Sequence, residues 1–226
     1  GTRNTKLENV GSRIWISNKQ IKTILTNILY KLGCPKSVTE ETSDHLIQAN
    51  NAGVESHGVW RIMQYVEYYK SGLLQPNAVP RFLTNSNGGT EIDANKSIGI
   101  PVMRMAVEHS IDVAKKSGLS AVAIKNVGHT GRLGAFSELA ANSNCLCFII
   151  GGGGRKKWPL VAPYGGSKGV LSTNPYSIAI PGGKKGPVVL DFATSSVAGG
   201  WVYAAQKIGA KLPKNTLIDK YGNLTQ

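Results

Sequence analysis

Acidic residues are scarce in this 226-residue sequence, with 13 Asp and Glu against 26 Lys and Arg, for a formal net charge of +13. Such an excess raises nucleic-acid binding as a possible function. The basic residues are scattered, however, with short runs only at Lys115-Lys116, Arg155–Lys157 and Lys184-Lys185, and no RNA-recognition, helix-turn-helix or zinc-finger pattern accompanies them. No nucleic-acid partner is expected. The charge reads as a solvated surface that also attracts anionic substrates and cofactor phosphates.

Long apolar runs are also lacking. No stretch approaches the roughly 20 residues that a membrane span needs, so no membrane partner is expected. Cysteine is sparse at three residues, an odd number, and the Cys145-x-Cys147 spacing fits neither a zinc knuckle nor a redox pair. Free thiols imply a reducing compartment, and a cytoplasmic location is expected. No H-E-x-x-H and no His/Cys/Asp cluster appears, so no metal is expected, and no G-x-S-x-G marks a serine hydrolase. The first 15 residues are polar and basic without an apolar core, so no secretory signal is expected there and the segment reads as a flexible arm or cloning remnant.

What is present suits an α/β fold. Hydrophobic content is 41% and the 27 glycines cluster at candidate turns. Ser17 opens a helix whose apolar positions, Ile21 to Leu32, share one face, and Gly33 closes it. Ser37 and Glu40 make a capping-box pattern for a second helix to about Gly53. Ser56 is placed to cap a third, ending near Gly72. Pro76 to Gly89 reads as an extended connector. Strands near Glu91–Asp93, Ala121–Lys125, Cys145–Ile150 (expected buried), Ser177–Ile180 and Val188–Phe192 alternate with helices over Ile100–Lys116, Leu133–Asn142 and Ser195–Lys207. A turn at Tyr221–Asn223 suggests a hairpin. The expected division is an arm over 1–15, a helical part over 16–80 and an α/β part over 81–226.

Five segments carry candidate chemistry. Ser56-His57-Gly58-Val59-Trp60-Arg61 places a proton carrier and a carboxylate-binding guanidinium four positions apart, on one face if the segment starts a helix. A capped surface helix with Arg61 in an ion pair is the bland alternative. Gly128-His129-Thr130-Gly131-Arg132-Leu133 follows a strand and opens a helix, where backbone N–H groups approach an anion. A simple strand–helix turn explains it equally well. Gly151 to Gly154 follows a strand but matches neither dinucleotide nor P-loop spacing. Ser172-Thr173-Asn174-Pro175 is a turn whose side chains either face a ligand or serve the turn. Asp191-Phe192-Ala193-Thr194-Ser195 ends a strand, where α/β proteins put ligands; an Asp191 helix cap is the alternative.

Taken in order, S-H-G-x-x-R, G-H-x-G, V-A-P-Y-G-G, S-T-N-P and L-D-x-A-T-S, followed by Lys211-Leu212-Pro213 and Asp219 to Asn223, resemble the malate/L-lactate dehydrogenases of the second, non-Rossmann type. The resemblance covers about Ile16 to Gln226. It implies that family's layered α/β fold with an N-terminal helical part, NAD or NADP as cofactor, a 2-hydroxy or 2-oxo acid substrate such as malate or lactate, and a homodimer. It further implies His57 as acid/base beside Ser56, with His129 as a second proton-handling histidine. Arg61, Thr173 and Asn174 are implied at the substrate, and His129, Thr130, Gly131, Arg132, Leu133, Asp191, Phe192 and Ala193 at the cofactor. Three departures stand out. Trp201 replaces the Lys or Asp of many relatives, Arg155 to Trp158 looks inserted, and the later G-x-K-G-Y-G segment of relatives is not in this sequence. The last raises the expectation of a C-terminally truncated chain, and with it the rival reading of a non-catalytic paralogue that binds or forms oligomers.

Overall fold

The computed structural model describes residues 14–84, 89–153 and 160–226. Residues 1–13 of the expected arm, Gly154 and the segment Arg155 to Trp158 therefore lie outside the described residues. The rest falls into two compact units, Ile16–Cys147 with Ile178–Val189, and Phe148–Ser177 with Leu190–Gln226.

The first unit begins with two helices, α1 (Asn18–Lys31) and α2 (Lys36–Asn51). Ser17 caps α1 through a capping box with Gln20, as a short hydroxyl before an apolar-periodic run should. The box expected from Ser37 and Glu40 is not formed. Pro35 is the N-cap of α2, without a side-chain cap bond, and Ser37 lies inside the helix. Proline suits this boundary because its fixed φ fits the start of a helix and it has no N–H to satisfy there. α2 buries Leu46, Ile47 and Ala49, together with His45, and packs against α1 and against α4 (Gly99–Ser117).

The third helix starts later than the sequence suggested. Ser56 does not cap it; Glu55–His57 form a single 3-10 turn, Gly58 is extended, and α3 runs from Arg61 to Lys70 with Trp60 as N-cap. Its buried face also differs from the apolar periodicity, holding Arg61, Gln64 and Tyr65 besides Ile62 and Tyr69, while Met63 is exposed.

The connector after α3 contains a strand the sequence did not suggest, β1 (Arg81–Thr84), paired antiparallel with β2 (Thr90–Asp93). β2 pairs in parallel with β3 (Val122–Lys125), and α4 makes the crossover between them. Ile92 and Ala94 pack on Val102 and Ala106 of that helix, with Val122, Ile124 and Val127 alongside. Such a strand–helix–strand core fixes where the chain leaves β3. It leaves into the loop that reaches α5 (Leu133–Asn142), which packs on α4.

β4 (Cys147–Ile150), β5 (Tyr176–Ile180) and β6 (Val188–Phe192) form a second sheet in the order β4-β5-β6. β4 is not the buried strand expected. It starts two residues later and alternates, with Phe148 and Ile150 exposed. In the second unit, Phe148, Tyr176 and Phe192 stack in a row with centroids 6.0 and 5.9 Å apart. Here α6 (Gly199–Ile208) begins four residues after the expected start, and Asp191 lies within β6 rather than capping a helix. Val197, Ala205 and Leu212 make the unit's core, and Trp201 packs against them. β7 (Leu217–Ile218) and β8 (Leu224–Thr225) form the hairpin around the Tyr221–Asn223 turn.

Among the described residues, no helix is long and apolar enough to cross a membrane and no group of three His, Cys, Asp or Glu side chains is placed to hold a metal ion. Cys34, Cys145 and Cys147 are free thiols.

Candidate active site

Two histidines 72 positions apart in sequence meet in the first unit. The rings of His57 and His129 stack with centroids 5.4 Å apart and an interplanar angle of 25°. His57 arrives on the 3-10 turn and His129 on the loop between β3 and α5. His57 precedes α3 on its own 3-10 turn, so the shared helix face expected for His57 and Arg61 is not how they are joined. The turn joins them instead. Arg61, on the first turn of α3, folds its side chain back so that Nε donates to the Ser56 carbonyl at 2.7 Å, while a terminal nitrogen donates to Gln64 Oε1 at 2.5 Å. Its guanidinium also lies 5.0 Å over the Trp60 ring. Ser56 Oγ is 3.0 Å from His57 Nδ1.

The turn is clamped from outside. Asn50 Oδ1 accepts the Val59 N–H at 2.7 Å, and Trp60 Nε1 donates to the Glu55 carbonyl at 2.6 Å. A Cβ at Gly58 would lie 1.7 Å from Asn50 Oδ1, so a side chain there would displace the amide that holds Val59.

His129 is held by two groups at one nitrogen. Gly131 N–H donates to its Nδ1 at 3.2 Å, and Tyr65 Oη lies 2.8 Å from the same atom. A backbone N–H can only donate, so Nδ1 is the acceptor and the ring proton sits on Nε2. Tyr65 is fully buried on α3, and burial holds its hydroxyl in the neutral form well above the usual phenol range.

Burial dominates the electrostatics. It pushes His57 down to about 3, with the Arg61 guanidinium the next cause, followed by His45 and Arg132. His129 is pushed well below its ordinary value by burial, then by Arg61, His57 and His45. Two adjacent imidazoles are thus neutral at pH 7, beside a fixed positive charge. A neutral imidazole next to a guanidinium suits taking a proton from a substrate whose anionic group the guanidinium holds.

The loop leading into α5 carries the residues expected at a cofactor. Thr130, Gly131, Arg132 and Leu133 lie between His129 and the first turn of that helix. The Arg132 side chain is 11% exposed, close to Glu138, and its buried Nε has no hydrogen-bond partner. An orphaned buried guanidinium N–H at a helix N-terminus fits an anionic group such as a phosphate.

The remaining expected residues belong to the second unit. Thr194 donates to the Thr173 carbonyl through both its N–H, at 3.0 Å, and its Oγ1, at 3.1 Å. Ser172 Oγ accepts the Gly153 N–H at 2.8 Å and donates to Asn174 Oδ1. Ser172 therefore ties Gly153 and Asn174 together, and Thr173 holds Thr194, which follows Phe192 of the aromatic row and Ala193.

A family model described as malate/L-lactate dehydrogenase matches residues 16–226. The chain belongs to this family. An L-sulfolactate dehydrogenase of Methanocaldococcus jannaschii is 33% identical over 204 residues, which cover 90% of this chain and 58% of that protein. A malate dehydrogenase of Pyrococcus abyssi is 31% identical, covering 93% and 57%. Among solved structures, a malate dehydrogenase from Entamoeba histolytica aligns with a TM-score of 0.83 at 27% identity, over 98% of this chain and 59% of that one. Sulfolactate dehydrogenase from Methanocaldococcus jannaschii aligns at 0.79 and 32% identity. The layered, non-Rossmann α/β fold implied by the sequence motifs is thereby borne out. The chain spans somewhat more than half the length of these relatives.

Tyr65, Gln64 and His45 were not singled out from the sequence. Tyr65 and Gln64 follow Arg61 by four and three positions, the spacing of one helix face, so polar groups on a face otherwise buried were the available signal.

Proposed function

We infer that the protein is an NAD(P)-dependent oxidoreductase that transfers a hydride between the nicotinamide and a 2-hydroxy or 2-oxo acid such as malate or lactate. The observation that carries this reading is the stacked His57–His129 pair, neutral and beside Arg61, with the loop of His129 running into a helix N-terminus that fits an anion. Arg61 binds the substrate carboxylate. In the oxidative direction His57 is the base. Its Nδ1–H donates to Ser56 Oγ, and the Nε2 lone pair takes the proton of the C2 hydroxyl. His129, whose proton is on Nε2, donates a hydrogen bond to the same oxygen and orients it. Arg132 and the first turn of α5 hold cofactor phosphate, and the cofactor, when bound, supplies or receives the hydride. In the second unit, taken by itself, Thr173 and Asn174 are proposed as substrate contacts and Asp191, Phe192 and Ala193 as cofactor contacts.

In the reductive direction His57 must first be charged. Burial disfavours that most and the Arg61 charge adds to it; a bound carboxylate neutralises the Arg61 part, so the anionic substrate itself raises the affinity of His57 for its proton. The enzyme is proposed as a homodimer of the reducing cytoplasm, in keeping with its free thiols. Light scattering tests the dimer.

Steady-state turnover of NADH and NADPH with pyruvate, oxaloacetate and a bulkier 2-oxo acid tests the activity. Oxidation of either nucleotide dependent on a 2-oxo acid is expected. Nucleotide binding without turnover of any 2-oxo acid would favour the non-catalytic reading instead.

A further inference from the structure

A third imidazole supports the stacked pair from behind. His45, on the buried face of α2, is 7% exposed. Its Nε2 accepts the Arg132 N–H at 2.8 Å, across 87 positions of sequence. Arg132 is the N-cap of α5, and no side chain within its own segment caps that helix. One of the orphan donors that every helix start presents is thus satisfied by a histidine from another helix. The ring is fixed on its face by Phe136 of α5, at 5.0 Å and 15°. At its edge the fit is close enough to dictate the loop sequence. Gly131 has φ +72°, and a Cβ there would lie 2.3 Å from His45 Nε2. The same Gly131 supplies the N–H that fixes His129 Nδ1.

We propose that His45 is a positioning residue for the reaction inferred above: as an acceptor at Nε2 it pins Gly131 and Arg132, and through them sets the ring of His129 on that of His57. It touches no reacting atom. Its influence passes through two backbone N–H groups in consecutive residues, one bound by His45 and the other by His129. The ring must be neutral with its proton on Nδ1, because a second N–H facing the Arg132 N–H would have nothing to accept it. A core-filling residue would need only volume at this site, whereas a positioning residue needs an acceptor at the end of the ring.

That difference gives the test. His45→Phe keeps the ring and the stack on Phe136 but removes the acceptor. His45→Gln keeps an acceptor at about the reach of Nε2, and His45→Asn carries the same amide one carbon short. For turnover of a 2-oxo acid, His45→Phe is expected to lower kcat by about 10- to 100-fold with less than about a threefold change in KM, as a misplaced catalytic group does. His45→Gln is expected to recover kcat to within about threefold of the parent. A readout independent of activity comes from the ring-nitrogen resonances of the 15N-histidine-labelled chain, which has only four histidines. Those of His129 should move in His45→Phe and His45→Asn and return in His45→Gln. Unchanged His129 resonances in a folded His45→Phe protein, with kcat within twofold, would overturn the proposal. If His45→Phe does not fold, equal spectra for the Gln and Asn variants overturn it. If the parent turns over no 2-oxo acid, the inferred reaction fails, and the resonances still decide the role of His45.

Discussion

Acidification from pH 7 to pH 5 should cost this protein much of its stability, through histidines rather than carboxylates. His45 and His57 are each held at about 3 in the folded chain, against 6.5 when solvated. Above pH 6.5 neither state takes up a proton at these rings, so stability there is independent of them. As the pH falls below 6.5 the unfolded chain binds protons that the folded chain refuses, and stability drops until the folded value is reached near 3. At pH 5 the unfolded rings lie 1.5 units below their midpoint, which at 1.36 kcal/mol per unit is about 2 kcal/mol for each ring. His57 is only part-buried and its share is the smaller. The pair together should cost about 3–4 kcal/mol, a large part of the roughly 5–15 kcal/mol that holds a typical domain together. Glu41, raised by burial, acts in the opposite sense and offsets part of this loss. Urea titrations followed by tryptophan fluorescence at the two pH values give the difference directly. His129, also lowered by burial, adds to this loss, and His45→Gln should remove about 2 kcal/mol of the whole. A difference below about 1 kcal/mol, or imidazole midpoints near 6.5 by proton NMR, would refute the claim that these rings are buried neutral.

Three substitutions test other parts of the account. Gly131→Ala should lose about 2–5 kcal/mol, from the positive φ and from displacing the His45 ring, measured by urea denaturation. Ser17→Ala should cost about 1 kcal/mol with no effect on turnover, since it removes only the cap of α1. Arg61→Lys should raise KM for the 2-oxo acid by about tenfold or more while changing kcat less, because an ammonium cannot grip a carboxylate bidentately.

Segments whose structure is set locally were legible in the sequence. Leu133–Asn142 is a helix at the bounds expected, because a glycine-rich turn precedes it and its apolar positions repeat at helical spacing. Ser17 marks the start of α1 for the same kind of reason. The start of α3 was not legible. Ser56 is a good cap by type, but Asn50 and Glu55 fasten the His57 turn through contacts that only the folded chain makes. The Ser37–Glu40 pattern failed because Pro35, with its fixed φ, takes the helix start two residues earlier. β1 was hidden because its pairing with β2 depends on a partner strand rather than on its own pattern. At the site, Ser56, His57, Arg61 and His129 were legible as motifs. Tyr65 and His45 were not, because each acts through a bond spanning 64 or 87 positions.

The central claim is that His57 moves the proton while His129 orients the oxygen. The comparison of kcat for His57→Ala and His129→Ala in the same 2-oxo acid assay tests it most directly. The account predicts that His57→Ala lowers kcat by about 10²–10⁴, the usual worth of general acid–base catalysis, and that His129→Ala loses less. A His57→Ala protein within twofold of the parent, alongside a His129→Ala protein with no turnover, would contradict it and exchange the two roles.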